Sequence, residues 1–252
     1  MRINENIAVS TSRVLLVPYD RRHVAKYHSW MEDPAIQEAT ASERLTLEEE
    51  YENQASWRAS HDKLTFIVCQ PVPSSDAGQP IRSGEFDGPD QMVGDVNFFL
   101  YPLDEGSEGD VHGGADADSG TAILPVVGEV DIMIASAEHR GKGLGRAAVA
   151  TMLQYVMRNS PCILREYTLA GPDVSSGRAP RKAELRALMV KIKSDNAGSI
   201  ALFRSLGFCQ RGEVNYFGEV EMILSISNLD RVSVHVPQGY TEVEYIRTPK
   251  MT

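Results

Sequence analysis

Two hydrophobic rhythms alternate along the chain, short stretches of period two and longer stretches of three-to-four spacing, which is the signature of strands and helices packed in layers. Val130, Ile132 and Ile134 fall on one face of residues 128–136, and Glu129, Asp131 and Met133 fall on the other, predicting a strand. Beyond a glycine-rich turn, Ala148, Met152, Tyr155 and Val156 recur at helical spacing in Ala-rich sequence. That helix is expected to stop at Asn159-Ser160-Pro161. Further strands are predicted over 13–19, 64–69, 92–100, 186–193, 209–216 and 219–227, although residues 181–189 also suit a helix.

Asp20 caps a helix reaching Met31, with His23, Tyr27 and Trp30 on one side. Thr46 opens a second with an acidic first turn; Leu47, Tyr51, Gln54 and Ala55 form its expected inner face and Trp57 a core position. Residues 194–208 form a short helix with Ile200, Phe203 and Leu206 on one face and Gly207 as its stop. Segments near 71–91, 104–125 and 160–184 read as insertions in a single domain over 1–227, the first of them as a mobile loop, and 228–252 as a tail.

With 252 residues and 42% hydrophobic content, the chain can bury a full core. Its formal charge of −10 argues against nucleic acid and anionic membranes as partners, since phosphate contacts need a basic face. Cys69, Cys162 and Cys209 are odd in number and widely spaced, so neither a disulfide framework nor a metal cluster follows. No apolar run approaches the roughly 18 to 20 residues of a membrane helix, and the first thirty residues lack a signal-peptide core. The expectation is a cytoplasmic protein, a monomer or weak dimer. From Ser83 to His139 there are thirteen Asp and Glu and no Lys or Arg, a solvated acidic tract that could also concentrate a cationic substrate.

The turn Arg140-Gly141-Lys142-Gly143-Leu144-Gly145 carries the chemistry. Glycine permits positive φ and close approach of a ligand to the main chain, and the amides opening the following helix have no partner within it. With Lys142 and Arg146 adjacent, this is a phosphate site. A dinucleotide fingerprint would need a small residue at Arg146, and the G-x-x-x-x-G-K-[ST] pattern is absent. Carboxylates suited to moving a proton lie nearby: Glu129 and Asp131 share one face of their strand, and Asp95 and Asn97 share a face of the strand expected beside it.

Arg140, Gly143 and Gly145 spell Arg-x-x-Gly-x-Gly, which resembles the acyl-CoA pyrophosphate signature of the GNAT (Gcn5-related N-acetyltransferase) superfamily. Asn196-x-x-Ser199 running to Leu206-Gly207-Phe208 is similar to that superfamily's second shared element. Five further blocks resemble the N-acetyltransferase 9-like branch, near the RimJ/RimL type. They are Met1 to Asn4, Arg13 to Tyr19, Thr40 to Glu43 with Leu45 to Tyr51, Asp62 to Val68, and Met92 to Asn97.

The resemblance implies an α/β fold: a mixed, mostly antiparallel twisted sheet of about seven strands with helices on both faces. It is split between the fourth and fifth strands, here 128–136 and 186–193. It also implies acetyl-CoA as co-substrate, no metal, and an amine acceptor, a protein N-terminus or lysine, attacking directly in a ternary complex. CoA would be held by Met133, Ile134, Arg140, Gly141, Lys142, Gly143, Leu144, Gly145, Arg146, Asn196 and Ser199. Glu129 is the nominated base and Asp131 its substitute. Phe203 stands where many GNAT enzymes carry tyrosine, which leaves the general acid unassigned, with Tyr216 the loosest of candidates. The competing reading is a GNAT-fold acyl-CoA-binding module that serves protein interaction.

Overall fold

The computed structural model describes residues 1–103, 123–169, 182–229 and 236–247. Most of the insertions expected at 104–125 and 160–184 therefore lies outside the described residues. The chain divides into two compact units, one of Met1–Asn97, Asp131–Tyr155 and His235–Thr252, the other of Phe98–Val130 and Val156–Val234.

In the first unit, β1 (Ile7–Ser10), β2 (Leu15–Pro18) and β3 (Lys63–Cys69) form an antiparallel series. β10 (Thr241–Ile246) adds antiparallel to β1, and β4 (Ile81–Arg82) adds parallel to β10. β5 (Met92–Pro102) begins here beside β3, and the end of β6 (Ile123–Ile134) lies next to it, with Ala135 N–H donating to the Val93 carbonyl at 2.9 Å. Every residue of β3 after Lys63 is buried, because both sheet faces are covered. Phe66 meets Tyr155 edge-on from the long helix α4 (Leu144–Leu169). Ile67 and Cys69 join a core with Val24, Trp30 and Met31 of α1 (Val24–Met31) and Ile36 of α2 (Pro34–Thr40). α3 (Leu47–Ala59) starts with the expected capping box between Thr46 and Glu49.

In the second unit, β6 runs parallel to β7 (Lys182–Lys193), from Ile123 opposite Lys182 to Glu129 opposite Met189, where the ladder ends. β9 (Glu219–Ser225) pairs antiparallel with both β7 and β8 (Cys209–Arg211). α5 (Ala197–Ser205) lies between β7 and β8 in the chain, and its Phe203 packs edge-on against Phe208. A short α6 (Ile226–Leu229) follows β9.

The described residues hold ten strands rather than about seven, and the three additional ones have clear causes. β1 and β4 are only four and two residues long, too short to display a period, and β10 lies in the expected tail. The 71–91 segment is not simply a loop. It carries Ile81 into the core and buries Asp87, which accepts from His23 Nε2 at 2.9 Å and from the Tyr245 hydroxyl at 2.6 Å. Asp20 N–H donates to His23 Nδ1, so the ring proton sits on Nε2.

Pro161 does not stop α4, which continues to Leu169. Burial of Ile163 and Tyr167, one turn apart beyond the proline, outweighs the lost backbone bond. On α3 the inner face departs in part from the expectation: Gln54 is buried as expected and Tyr51 half-buried, but Leu47 is 42% exposed and Ala55 exposed, and Glu50 is buried in their stead. On β6, Val130 and Met133 are buried while Ile132 and Ile134 are half-buried, so the strict alternation fails past Val130.

Candidate active site

After β6 a short 3-10 turn, Ala137–His139, delivers the chain to Arg140. The guanidinium of Arg140 folds back, Nε donating to the Ile134 carbonyl at 2.8 Å and Nη2 to that of Ala135 at 2.9 Å. Arg140 thus fastens the turn to the strand end. Gly141 and Gly143 adopt φ of +71° and +78°, the left-handed region that only glycine enters without strain. The first bond of α4 outside its own residues runs from Ala147 N–H to the Gly143 carbonyl, so the amides of its first turn face outward from a positive dipole end.

A second cation supports the turn from a distance in sequence. Arg13, in the β1–β2 hairpin, donates Nη2 to the Lys142 carbonyl at 2.6 Å. With Lys142 and Arg146 exposed on the turn, three basic side chains border the helix end. Arg13 was missed as a site residue because 129 positions separate it from Lys142 and only the fold joins them.

One carboxylate pair also forms within the first unit. Asp131 lies near enough to Asp95 for its charge to bear on that carboxyl, and both bear on the Tyr27 hydroxyl. Asp95 is 2% exposed and Asn97 5%. Asn97 Nδ2 donates to Asp95 Oδ2 at 2.6 Å, while Asp95 Oδ1 and Asn97 Oδ1 have no hydrogen-bond partner among the described residues. Burial pushes the Asp95 carboxyl up to about 7; the Asn97 bond opposes that rise and the nearby charge of Asp131 adds to it.

Aromatic rings flank the pair. The rings of Tyr19 and Tyr27 meet at a tilt with centroids 5.3 Å apart, and both hydroxyls are held well above the ordinary tyrosine value, first by burial and then by Glu50 and Asp95. Glu50, 3% exposed on α3, is itself raised by burial, and its Oε2 lacks a partner among the described residues. Nothing local marks Glu50 in the sequence, where it reads as one more acidic residue in a helical first turn.

The remaining site positions lie in the second unit. Glu129, half-buried on β6, has its Oε2 3.3 Å from Lys191 Nζ. Asn196 caps α5, its Oδ1 accepting from Ser199 N–H at 3.0 Å, so the pair expected to meet CoA is first a helix cap. Phe203 is buried in the core and serves packing. Tyr216, 97% exposed at the β8–β9 turn, touches only Phe217 among the rings. Among the described residues, no group of three or more His, Cys, Asp or Glu could hold a metal, and no helix is long and apolar enough to cross a membrane.

Comparison with known proteins agrees with this geometry. The acetyltransferase (GNAT) domain family matches residues 13–209. An N-acetyltransferase 9-like protein of Schizosaccharomyces pombe is 39% identical over 89% of this chain and 98% of its own. The alpha/beta-tubulin-N-acetyltransferase 9 of Drosophila melanogaster is 38% identical over 88% of each chain. Among solved structures, RimL, a ribosomal alpha-N-protein acetyltransferase in complex with coenzyme A, shares the fold with a TM-score of 0.52 at 13% identity, covering 86% of this chain and 96% of that one. The chain belongs to the GNAT acetyltransferases, in their N-acetyltransferase 9-like branch, and is an acetyl-CoA-dependent N-acetyltransferase.

Proposed function

We propose that this enzyme transfers acetyl from acetyl-CoA to a protein amine, an N-terminus or a lysine, by direct attack in a ternary complex. The observation that carries the reading is the pairing, in one unit, of a cation-bordered glycine turn with a buried carboxylate, Asp95 on β5, held by Asn97. The turn 140–146 grips the diphosphate through main-chain amides, with Lys142, Arg146 and Arg13 supplying charge. The acyl arm runs back along Asp131 to Ala135, past Met133 and Ile134. Such an arrangement accelerates the reaction chiefly by holding amine and thioester in line.

Of the two carboxylates nominated on β6, Asp131 is the better placed to meet the amine. Asp131 belongs to the same unit as the glycine turn and bears electrostatically on Asp95, whereas Glu129 belongs to the other unit and meets Lys191 at 3.3 Å. The buried packing of Phe203 leaves the departing thiolate without a tyrosine donor, a modest loss because a thiolate is a tolerable leaving group near neutral pH. Two relatives of this chain are named for N-acetyltransferase activity, which places catalysis ahead of a binding-only role.

The name of the Drosophila relative makes tubulin the first acceptor to try. Purified protein is mixed with acetyl-CoA and either tubulin or a peptide library, and CoA release is followed together with the mass of the acceptor. A gain of one acetyl group on an amine supports the reading. Acetyl-CoA binding without release on any acceptor defeats it.

A further inference from the structure

Deprotonation is the step for which the nominated residues give the weakest account. An amine attacks a thioester only in its neutral form, so a group near the acyl carbon must take up a proton at ordinary pH. Glu129 meets Lys191, and Asp131 is half-buried. Behind Asp131 lies a carboxylate with the properties a base needs. Asp95 is nearly inaccessible, one oxygen is fixed by Asn97 at 2.6 Å, and the other has no partner among the described residues.

We infer that Asp95, fixed by Asn97 and faced by Asp131, is the proton acceptor for the incoming amine, a role resting on the acetyl-transfer reading above. A second observation is independent of that hydrogen bond: Asn97 Oδ1 and Glu50 Oε2, both more than nine-tenths buried, are also acceptors without partners among the described residues. A buried set of unmatched acceptors calls for a donor-rich ligand, and an ammonium group offers three N–H donors and a compensating charge. Asp131 receives the ammonium at the more open edge, and Asp95 takes the proton from behind it.

The groups that bear on Asp95 are Tyr19 after β2, Tyr27 on α1, Asn97 on its own strand and Asp131 on β6, with Glu50 of α3, beside His28, on the far side of the tyrosines' electrostatic reach. The tyrosines stay protonated, and burial, with the charge of Asp131 added, disfavours a negative charge on Asp95, so it holds a proton near neutral pH and releases it there. In the reaction, the ammonium gives one proton to Asp95. The nitrogen lone pair then forms the C–N bond at the thioester carbonyl carbon, and the C–S bond breaks with its electron pair on sulfur. The second amine proton goes to sulfur and Asp95 returns its own to solvent, leaving an amide, CoA thiol and one proton.

The test is the pH profile of kcat with saturating acetyl-CoA and the best acceptor from the screen above. Wild-type kcat should fall on acidification through pH 7. Asp95→Asn should lower kcat at least a hundredfold, remove that acid limb, and leave acetyl-CoA affinity by calorimetry within about twofold. Asn97→Ala removes a bond that favours the ionised form and should move the limb to higher pH. Asp131→Asn removes a like charge and should move it lower. If wild type is active and Asp95→Asn keeps its kcat and its limb, this assignment alone is overturned. It is also overturned if Asn97→Ala and Asp131→Asn leave the limb in place. Wild type inert toward every amine overturns it together with the reading on which it rests.

Discussion

Replacing Asp95 by Asn should make the protein more stable above neutrality while leaving it unchanged in acid. In the unfolded chain an aspartate titrates near its ordinary 3.8, whereas in the fold this one is pushed up to about 7. Between those values the folded state binds more protons than the unfolded one, so stability falls as pH rises. The contribution is fully present below about pH 4 and is lost once pH passes about 7. A shift of about three units at roughly 1.4 kcal/mol each gives about 4 kcal/mol, the cost of ionising Asp95 where it is buried. Asparagine keeps the acceptor for Asn97 and offers an NH2 where the unpartnered oxygen stood, imitating the protonated acid. Urea denaturation of both proteins from pH 4 to pH 8.5 measures the difference directly. The two curves should meet near pH 4, diverge steadily between about pH 4 and pH 7, and run parallel above that, the variant being more stable by up to about 4 kcal/mol. Parallel curves across the whole range would refute the argument, since they would mean that Asp95 titrates alike folded and unfolded.

Three other outcomes follow from separate features. Gly143→Ala forces a Cβ into a φ of +78° and should cost about 1 to 2 kcal/mol, seen as an acetyl-CoA Kd roughly tenfold weaker by calorimetry. Tyr245→Phe removes the 2.6 Å donor from buried Asp87 and should destabilise by about 1.5 to 3 kcal/mol in urea, with kcat retained. Gly94→Ala would set a Cβ 1.9 Å from the Met133 carbonyl oxygen, a backbone contact that cannot yield cheaply, so a loss above about 4 kcal/mol and poor soluble expression are expected.

The elements legible in sequence were those whose signal is local. The turn at 140–145 showed itself through glycines that the backbone needs at Gly141 and Gly143, and α3 through a capping box contained in four residues. What escaped notice depends on partners far along the chain. β10 alternates weakly and becomes a strand because β1 and β4 offer it edges on both sides. Asp87 looked like a loop residue until His23 and Tyr245 closed over it, and a proline inside α4 looked like an ending because Ile163 and Tyr167 were not known to have a core to enter. At the site, the pairing of Asp95 and Asn97 was visible as shared parity, but burial decides which carboxylate is basic, and a single strand's pattern does not record burial.

Arg140 gives the molecule a built-in ruler. Because its guanidinium clasps the carbonyls of Ile134 and Ala135, the loop proposed to seat the diphosphate cannot slide relative to the strand on which Asp131 stands. The span from anchor to reacting carbon is thereby set by protein, and the pantetheine arm must match it in length. A donor with a shortened arm would still seat its phosphates but present its acyl carbon out of register, binding as a competitor of acetyl-CoA rather than a substitute for it.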